Sequence, residues 1–471
     1  MKKYFKKNNT IYKKGEIIVT LLVTTLIFSL VMFPILNFTV IETKSVRNNA
    51  NREQALQIAE AGINYYQWHL AHFPSDFKDG TNSNGPYVHN FLDSDAQTVL
   101  GQYSLMITAP ATGSTIVTIA STGSTTQNPN TKRTITTKYG IPSLATYSFL
   151  SNDVIWIGSS ESVNGKLHSN NGIRFDGNGN APITSAKSTY TCPTAQGSPC
   201  PTTKNGVWGS ASQAVQNFWQ FPAPAFDFSA LTSNLANMKS SAQNGGIYLP
   251  PSNANGYSLV FNSAGTVSVY KVSSLKNTPT GYDVGNNAHN EDIDYNNRSF
   301  QYTVNIPSNG TIYIEDNTWV EGTVTGKVMV AAAKLPYVAN SAPTIYIPNN
   351  IVYNAKDGTN VLGLLAQRDI VVTYLAPTNI EIDAALIAQN GSTQFFYFPN
   401  GNGSQIKSSI VIFGSIMSYG QWTWTWVNGS NQNISGYSYT YDTYDANLLY
   451  SPPPGFPLSS AGYKQLSWTS K

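Results

Sequence analysis

The chain has 471 residues, of which 11% are charged and 12% are aromatic, and its formal net charge is +3. Six of the 28 Lys and Arg residues stand within residues 1–15, so the rest of the chain carries 22 basic against 25 acidic residues. Without a basic field on its main body, the composition gives no support for direct binding of nucleic acid.

The first predicted element is an apolar helix over residues 17–41, a run of 25 residues that contains no charge. At 1.5 Å per residue such a helix is roughly 37 Å long, enough to cross a bilayer core of about 30 Å with some tilt. The six lysines before it are accompanied by no acid, so this end is expected to stay in the cytoplasm and the rest outside. The run is too long for a signal-peptide core, and no small-residue cleavage site closes it. The sequence therefore predicts a transmembrane segment at 17–41.

The basic leader, the Gly15-Glu16 step and the apolar run directly after it resemble the prepilin leader of type IV pilin-like proteins. In that family a membrane peptidase cuts after the glycine and methylates the new N-terminus. The resemblance implies a leader at 1–15, cleavage after Gly15 and methylation of Glu16. Major subunits of the family usually carry Glu at the fifth mature position, where this chain has Thr20. The resemblance therefore implies a minor pilin or a pseudopilin.

The helical pattern continues beyond the apolar run and predicts one long helix over 16–74, with Pro74 as its stop. Apolar residues recur along one face of this helix at 3,4 spacing and form a stripe. The stripe is consistent with packing on the protein's own domain, with a heptad-type contact to other helices, or with both. The string QALQIAEAGINYY (54–66) resembles the segment after the membrane helix in PilX-like minor pilins. The stripe consists of Leu56, Ala59, Ile63, Tyr66, Leu70 and Phe73.

A small antiparallel sheet is predicted over 75–140. Alternating strand candidates at 102–108, 114–120 and 132–139 are separated by turns rich in Gly, Ser and Asn. A sheet laid over the helix stripe would bury the apolar faces of both. These lines also resemble the small sheet that follows the helix in PilX-like proteins.

Residues 141–471 are predicted to form a large β-rich head. Short apolar runs alternate with Asn and Gly turns, which favours a right-handed parallel β-helix in which each strand stacks on the previous coil. A β-sandwich is the alternative, since many short strands also fit that architecture. Helical spacing predicts an inserted helix at about 226–241, and two alternating runs around a polar loop predict a hairpin at about 420–442.

Cys192 and Cys200 flank seven residues rich in turn formers, which predicts a local disulfide in an exported domain. A metal site is disfavoured because no CxxC or nearby His accompanies the two cysteines.

The alternation of Trp422, Trp424 and Trp426 puts all three on one face of a strand. That row is either core or, if exposed, a ligand or interface patch.

The sequence predicts no enzyme, no catalytic residue and no metal. Glu381 and Asp383 would share one strand face, but an isolated pair is more often a solvated face than an acid–base site. No cofactor is expected, and the segment HNEDIDYNN (289–297) is predicted to be a flexible acidic loop. The alternative is calcium at Glu291, Asp292 and Asp294, although the segment lacks the glycine and final glutamate of an EF-hand loop.

Together these features predict a minor pilin or pseudopilin, a structural or tip subunit of a type IV pilus or a type II secretion-like filament. Its expected partners are other pilin-like subunits, a prepilin peptidase and the bacterial inner membrane, with no nucleic acid. The expected location is a single pass of the inner membrane with the head outside, or an extracellular pilus. The alternatives are a membrane-anchored β-helix protein that binds or cleaves carbohydrate, and a passive surface protein.

Overall fold

A computed structural model describes residues 14–471 except 229, 401 and 460, and it divides the chain into two units. The N-terminal unit comprises the described residues up to Thr108, together with 118–138 and 466–471. The head unit comprises 109–117 and 139–465. The predicted leader at 1–15 lies almost wholly outside the described residues, which begin at Lys14.

The N-terminal unit is built on helix α1 (Lys14–His72), 59 residues long with Pro34 inside it. Pro74 follows two residues after the last helical residue, in keeping with its inability to continue a helix. Next to α1 lies an antiparallel sheet that has five strands within the described residues, in the order β1-β2-β3-β4-β34. These strands are β1 (Tyr87–Leu92), β2 (Val99–Thr108), β3 (Ile116–Thr125), β4 (Lys132–Gly140) and β34 (Lys464–Ser470).

The head unit begins with many very short strands. They are β5 (Phe149–Ser151), β6 (Ile155–Ile157), β7 (Ser162–Asn164), β8 (Leu167–Ser169), β9 (Ile173–Phe175), β10 (Asn178–Gly179), β11 (Ile183–Ser185), β12 (Thr189–Thr191), β13 (Thr203–Asn205), β14 (Val207–Trp208) and β15 (Trp219–Gln220). Two helices accompany them, α2 (Gln213–Gln216) and α3 (Ala230–Gln243).

The strands that follow are longer and more apolar. They are β16 (Ile247–Leu249), β17 (Gly256–Asn262), β18 (Thr266–Val272), β19 (Gly281–Tyr282), β20 (Ala288–His289), β21 (Arg298–Asn305), β22 (Thr311–Ile314), β23 (Thr318–Val324), β24 (Lys327–Ala332), β25 (Ile345–Ile347), β26 (Ile351–Tyr353), β27 (Val361–Ala366), β28 (Ile370–Val372), β29 (Asn379–Ala388), β30 (Thr393–Phe395), β31 (Ile406–Ser418), β32 (Thr425–Val427) and β33 (Asn433–Tyr444).

Most head strands belong to one large mixed sheet, in which three parallel ladders can be followed through the described residues. The first ladder runs β16-β22-β24-β27-β29-β31-β5-β8-β11-β15. The second runs β17-β23-β25-β28-β30, and the third runs β23-β26-β29-β31-β33-β7-β10. Antiparallel pairs occur at β17-β18-β21 and at β32-β33.

Strands far apart in sequence are neighbours in these ladders. Strand β31 stacks on β29, which precedes it in the chain, but it also pairs with β5, which lies far earlier in the sequence. The backbone groups on the edge of a ladder pair with any strand brought beside them, and sequence distance does not enter. The core between the ladders includes the fully buried Trp319, Phe395 and Tyr437.

The broad fold expectation is confirmed: the chain is mainly β, with one long N-terminal helix and an antiparallel sheet next to it. What the sequence did not indicate is that the last strand of that sheet, β34, comes from the far end of the chain.

Candidate functional site

The first half of α1 is an uncovered apolar surface. Leu30 is 65% exposed, Phe33 70% and Ile41 67%, and the large apolar side chains between residues 17 and 41 share this exposure. Within the described residues, α1 is the helix that has the length and apolar composition to cross a membrane, with a mean hydropathy of 2.5 over its most apolar window. An apolar patch of this size needs lipid or other apolar helices to cover it.

Threonine hydroxyls in this half form hydrogen bonds within the helix itself. The hydroxyls of Thr24, Thr25 and Thr39 donate to backbone carbonyls one turn earlier, at 2.8, 2.9 and 2.9 Å. A hydroxyl bonded in this way presents no unpaired donor to an apolar medium. The segment therefore combines an apolar surface with threonine hydroxyls that are paired inside the helix.

The second half of α1 has a face buried beneath the sheet. Ala59, Ile63, Tyr66 and Leu70 of the predicted stripe are at most 1% exposed. Leu56 is only half-buried, and Phe73, one residue past the helix, is 54% exposed. The buried face also includes Ala55, Ile58 and Gly62, which the stripe did not contain.

Small residues allow the helix and the sheet to approach closely. A Cβ added at Gly123 of β3 would lie 2.2 Å from the Ala55 carbonyl oxygen and 2.5 Å from the Ala59 nitrogen. On the helix side, a Cβ at Gly62 would lie 2.3 Å from the Ser121 hydroxyl oxygen. Side chains at these positions would force the two elements apart, because packed interiors leave no room for an extra carbon.

A polar network fixes the end of this buried half. His69 Nε2 lies 3.0 Å from Asp76 Oδ2, and the N–H groups of Lys78 and Gly80 donate to the same carboxylate at 2.8 and 2.6 Å. The Lys78 N–H is the largest of the contacts that lower the pKa of Asp76. Nearby, burial and a hydrogen bond to Asp79 raise the pKa of Tyr65 to about 12.

The predicted cysteine pair is joined: Cys192 Sγ and Cys200 Sγ lie 2.02 Å apart. The loop between them rests on Arg174, whose Nη1 donates to the Ser198 carbonyl oxygen at 3.0 Å. The guanidinium also lies 4.5 Å from the ring centre of Trp156. The disulfide closes a short local loop of the head, and Arg174, stacked on Trp156, holds that loop in place.

The tryptophan row divides between core and surface. Trp422 and Trp424 are 6% and 1% exposed, and their rings meet edge to face at 6.2 Å. Trp426 is partly exposed and its Nε1 donates to the Phe395 carbonyl oxygen at 2.8 Å. A ligand or interface role for this row is therefore confined to Trp426.

The other predicted acidic residues are engaged in structural contacts. Lys356 Nζ lies 2.6 Å from Glu381 Oε1 and 2.8 Å from Asp383 Oδ1, and Asp383 is fully buried. The Tyr353 N–H donates to the other Asp383 oxygen at 2.8 Å. Lys356 forms ion pairs with Glu381 and Asp383, and Tyr353 binds the second Asp383 oxygen. The absence of enzymatic activity stays a prediction.

Glu291 and Asp292 are buried, although a flexible acidic loop was predicted for this segment. Each is 1% exposed, and their carboxylates accept the N–H groups of Tyr374 at 3.3 Å and Leu375 at 2.9 Å. Burial, followed by the neighbouring Asp292 charge, raises the pKa of Glu291 well above its ordinary value. Asp294 is half-buried and accepts the Asn296 N–H at 3.1 Å.

No group of three or more His, Cys, Asp or Glu side chains suited to a metal ion occurs in the described part of the chain. Calcium at Glu291, Asp292 and Asp294 stays a prediction. The burial of these two consecutive acidic residues could not be predicted, because the segment that covers them, at Tyr374 and Leu375, is more than 80 residues away in the sequence.

Two adjoining clefts lie beside this acidic segment, of about 370 and 520 Å³. Asp292, Tyr295 and Thr373 line the first, and Tyr295, Arg298 and Glu321 line the second. The Tyr295 hydroxyl donates to Glu321 Oε2 at 3.2 Å, and Arg298 Nη1 lies 3.7 Å from Glu321 Oε1. Tyr295 and Arg298 form no motif that could be recognised in the sequence, and they converge only in the folded head.

Comparison with solved structures gives a weak similarity. No protein-family model matches the chain, and no curated protein does. The crystal structure of the competence-associated pilin ComZ from Thermus thermophilus aligns over 89% of this chain and 97% of that chain, at 13% identity and a TM-score of 0.32. At this TM-score the similarity carries no argument, so function is inferred from the chain's own residues and geometry.

Proposed function

We propose that this chain is a type IV pilin-like subunit, a minor pilin or pseudopilin. The observation that carries the proposal is the division of α1: its first half is apolar and uncovered, and its second half is packed under a sheet. A subunit that must leave the bilayer and enter a bundle of like helices needs such a surface. The prepilin-type leader and the PilX-like string at 54–66 point to the same class.

In this proposal a prepilin peptidase cleaves after Gly15 and methylates Glu16. The chain waits in the bacterial inner membrane through residues 17–41, with its head outside the cytoplasm. Extraction into a filament is feasible because polar groups of the helix, including the hydroxyls of Thr24 and Thr25, are hydrogen-bonded within the helix and keep those bonds in either environment. Thr20 at the fifth mature position favours a minor or tip position over the body of a fibre.

The head is proposed to be a parallel β-helix displayed by this filament, following a pilin-like module of residues 16–140. Support comes from the three parallel ladders, whose strands remain in register over successive layers. The inserted helix and the 420–442 hairpin are proposed as attachments to that stack. As a structural subunit, the chain would contribute display and assembly without catalysis.

Site-specific photo-cross-linking in cells tests the assembly surface. A photoreactive residue at Phe28, which is 65% exposed, is expected to cross-link to the apolar helices of other pilin-like subunits. The matched position is Glu60, exposed on the second half of the same helix, where no such product is expected. If Phe28 yields lipid adducts alone in cells that assemble filaments, the chain is a membrane anchor and the proposal fails.

A further inference from the structure

An acidic side chain lies inside the parallel stack of the head. Asp442 is 3% exposed, whereas Tyr441 and Thr443 on either side of it in β33 are exposed, so the Asp442 side chain faces the interior. Across the ladder Asp442 is opposite Ile412 of β31 on one side and Val163 of β7 on the other. Both of these residues are buried, so Asp442 occupies one position in a column of aliphatic side chains.

The buried oxygen of Asp442 has no hydrogen-bond donor. Asp442 Oδ1 is unpartnered in the described part of the chain, and so is the hydroxyl of Thr440, the preceding interior residue of β33. Glu161, the residue before β7, accepts the Gly158 N–H at 2.7 Å. Neither Asp442 nor Glu161 belongs to an ion pair among the described residues. A charged carboxylate in such surroundings is costly, because a buried charge needs a counter-charge or several donors.

The surrounding strands bring no positive charge to Asp442. β7 and β10 contain no titratable side chain. Lys407 of β31 donates to the Ala376 carbonyl oxygen at 2.9 Å, and the cation next to β29, Lys356, is paired with carboxylates of that strand. The charge that acts on Asp442 is that of Glu161, which has the same sign. The other titratable side chains of these elements are Arg174 and Asp176 at β9, Glu381 and Asp383 of β29, and Tyr437, Tyr439, Tyr441, Tyr444 and Asp445 at β33.

The position of Asp442 favours its protonated form. Burial, followed by the charge of Glu161, raises the pKa of Asp442 well above its ordinary value. Burial also raises the pKa of Glu161 to about 7, against the opposing effect of the Gly158 N–H. A raised pKa in the folded chain means that the stabilisation is complete below the ordinary carboxyl pKa and is lost as pH rises through the raised value.

We propose that Asp442 and Glu161 make the contact between β33 and β7 depend on protonation. A protonated Asp442 is uncharged and fits the column between Ile412 and Val163, so β7 stays paired with β33. An ionised Asp442 repels the Glu161 carboxylate and needs water, which weakens that pairing. The head is then held together most firmly in acid and loosens at this contact as pH rises. The inference goes beyond filament assembly and does not depend on it.

The test is the melting temperature of the head in the purified full chain, measured in detergent between about pH 5 and about pH 9. Asp442→Asn has nearly the size of the parent side chain but cannot ionise. The two proteins should melt within about 1 °C of each other in acid, and Asp442→Asn should melt about 3 °C higher than the parent at the alkaline end. Asp442→Val, which continues the aliphatic column, should lose the same pH dependence.

Hydrogen exchange locates the effect in the head. Parent and Asp442→Asn are compared at equal pH, so that the intrinsic exchange rates cancel. At the alkaline end, backbone amides of 161–164 and 440–443 should exchange about tenfold faster in the parent, which corresponds to one pKa unit of lost protection. In acid the two proteins should exchange alike.

Asp176→Asn is the matched control, at an acid with opposite surroundings. The Asp176 side chain is 7% exposed, and Arg174 Nε lies 2.7 Å from its Oδ2. Burial alone would raise the pKa of Asp176, but hydrogen bonds from Ser210 and Trp156 and the charge of Arg174 outweigh burial and lower it. Asp176→Asn should therefore lower the melting temperature at neutral pH, and the loss should shrink in acid.

The proposal is overturned if the difference between the parent and Asp442→Asn does not change with pH, or if it has the sign found for Asp176→Asn. It is overturned if neither Asp442 variant folds in acid. It is also overturned if calcium chloride raises the melting temperature of the parent but not that of Asp442→Asn, because the interior would then hold a cation in place of a proton. These measurements use the purified chain, so they can fail while the cross-links from Phe28 succeed, and the reverse.

Discussion

The two halves of α1 are continuous in structure and opposite in environment. Ile27 in the first half is 54% exposed, and Ile63 in the second half is fully buried. Both halves are helical and both carry apolar residues, so helix formation alone does not distinguish them. The difference is that the sheet β1-β2-β3-β4-β34 covers one half and nothing in the described chain covers the other.

This contrast shows that an apolar stretch of sequence can form either part of the protein's own core or a surface that another molecule covers. In the second half, small residues bring the sheet within contact of the helix, and burial stabilises the unit. In the first half, apolar side chains without an internal partner indicate an external one. The predictions below test this division, beginning with the largest effect.

Ile63→Ala is expected to lower the free energy of unfolding of the N-terminal unit by about 4 kcal/mol, since it removes buried methyl groups and leaves a cavity. Ile27→Ala is the matched change in the exposed half, and it should alter that free energy by less than about 0.5 kcal/mol. Denaturant unfolding of the two variants in detergent measures both. Equal losses would mean that the division of the helix is incorrect.

Val31→Asp is expected to weaken membrane insertion by about 3 kcal/mol, because it places a charge near the middle of the apolar run. Cell fractionation should show less full-length chain in the membrane. The control is Gln67→Asp, an exposed position on the second half of α1, which should leave membrane retention unchanged. Normal retention of Val31→Asp would argue against a span at 17–41.

Gly123→Ala is expected to cost about 2 kcal/mol, because its Cβ would lie 2.2 Å from the Ala55 carbonyl oxygen and push β3 away from the helix. Gly429→Ala is the control, since a Cβ there meets no atom within 4 Å. Thermal unfolding followed by circular dichroism compares them. A Gly123→Ala protein as stable as the control would show that helix and sheet are not in close contact.

Asp76→Asn is expected to cost about 1 kcal/mol at neutral pH, because a charged acceptor of the Lys78 and Gly80 N–H groups becomes a neutral one. The pKa of Asp76 is lowered in the folded chain, so its stabilisation is complete above the ordinary carboxyl pKa and is lost as pH falls through the lowered value. The difference between variant and parent should therefore shrink in acid. A Glu60→Gln control, exposed on the same helix, should show no such trend.

Local pattern was sufficient to predict α1, because an uncharged run, a 3,4 spacing and Pro74 are all contained in one stretch of chain. The antiparallel pair of β32 and β33 overlaps the hairpin predicted at about 420–442, but Trp422 and Trp424 lie outside β32. Pairing between distant segments could not be predicted. No local pattern in a single sequence indicates that β34 pairs with β4 or that β5 pairs with β31.

The two clefts beside the 291–298 segment could not be predicted either, because the residues that line them are far apart in the sequence. Asp292 and Thr373 are separated by more than 80 residues in the chain and meet because a turn after β28 lies against the 291–298 segment. The acidic string HNEDIDYNN suggested a solvated loop, since charged residues are seldom buried. Trp422 and Trp424 illustrate the converse, since a row of aromatics fits both core and surface until its neighbours are known.

Mass spectrometry of the N-terminus of the protein purified from cells with an active prepilin peptidase tests the proposed function most directly. A pilin-like subunit should begin at a methylated Glu16 and lack all six leader lysines. A chain that still begins at Met1 in those cells would contradict cleavage and assembly, and would leave α1 as a permanent anchor.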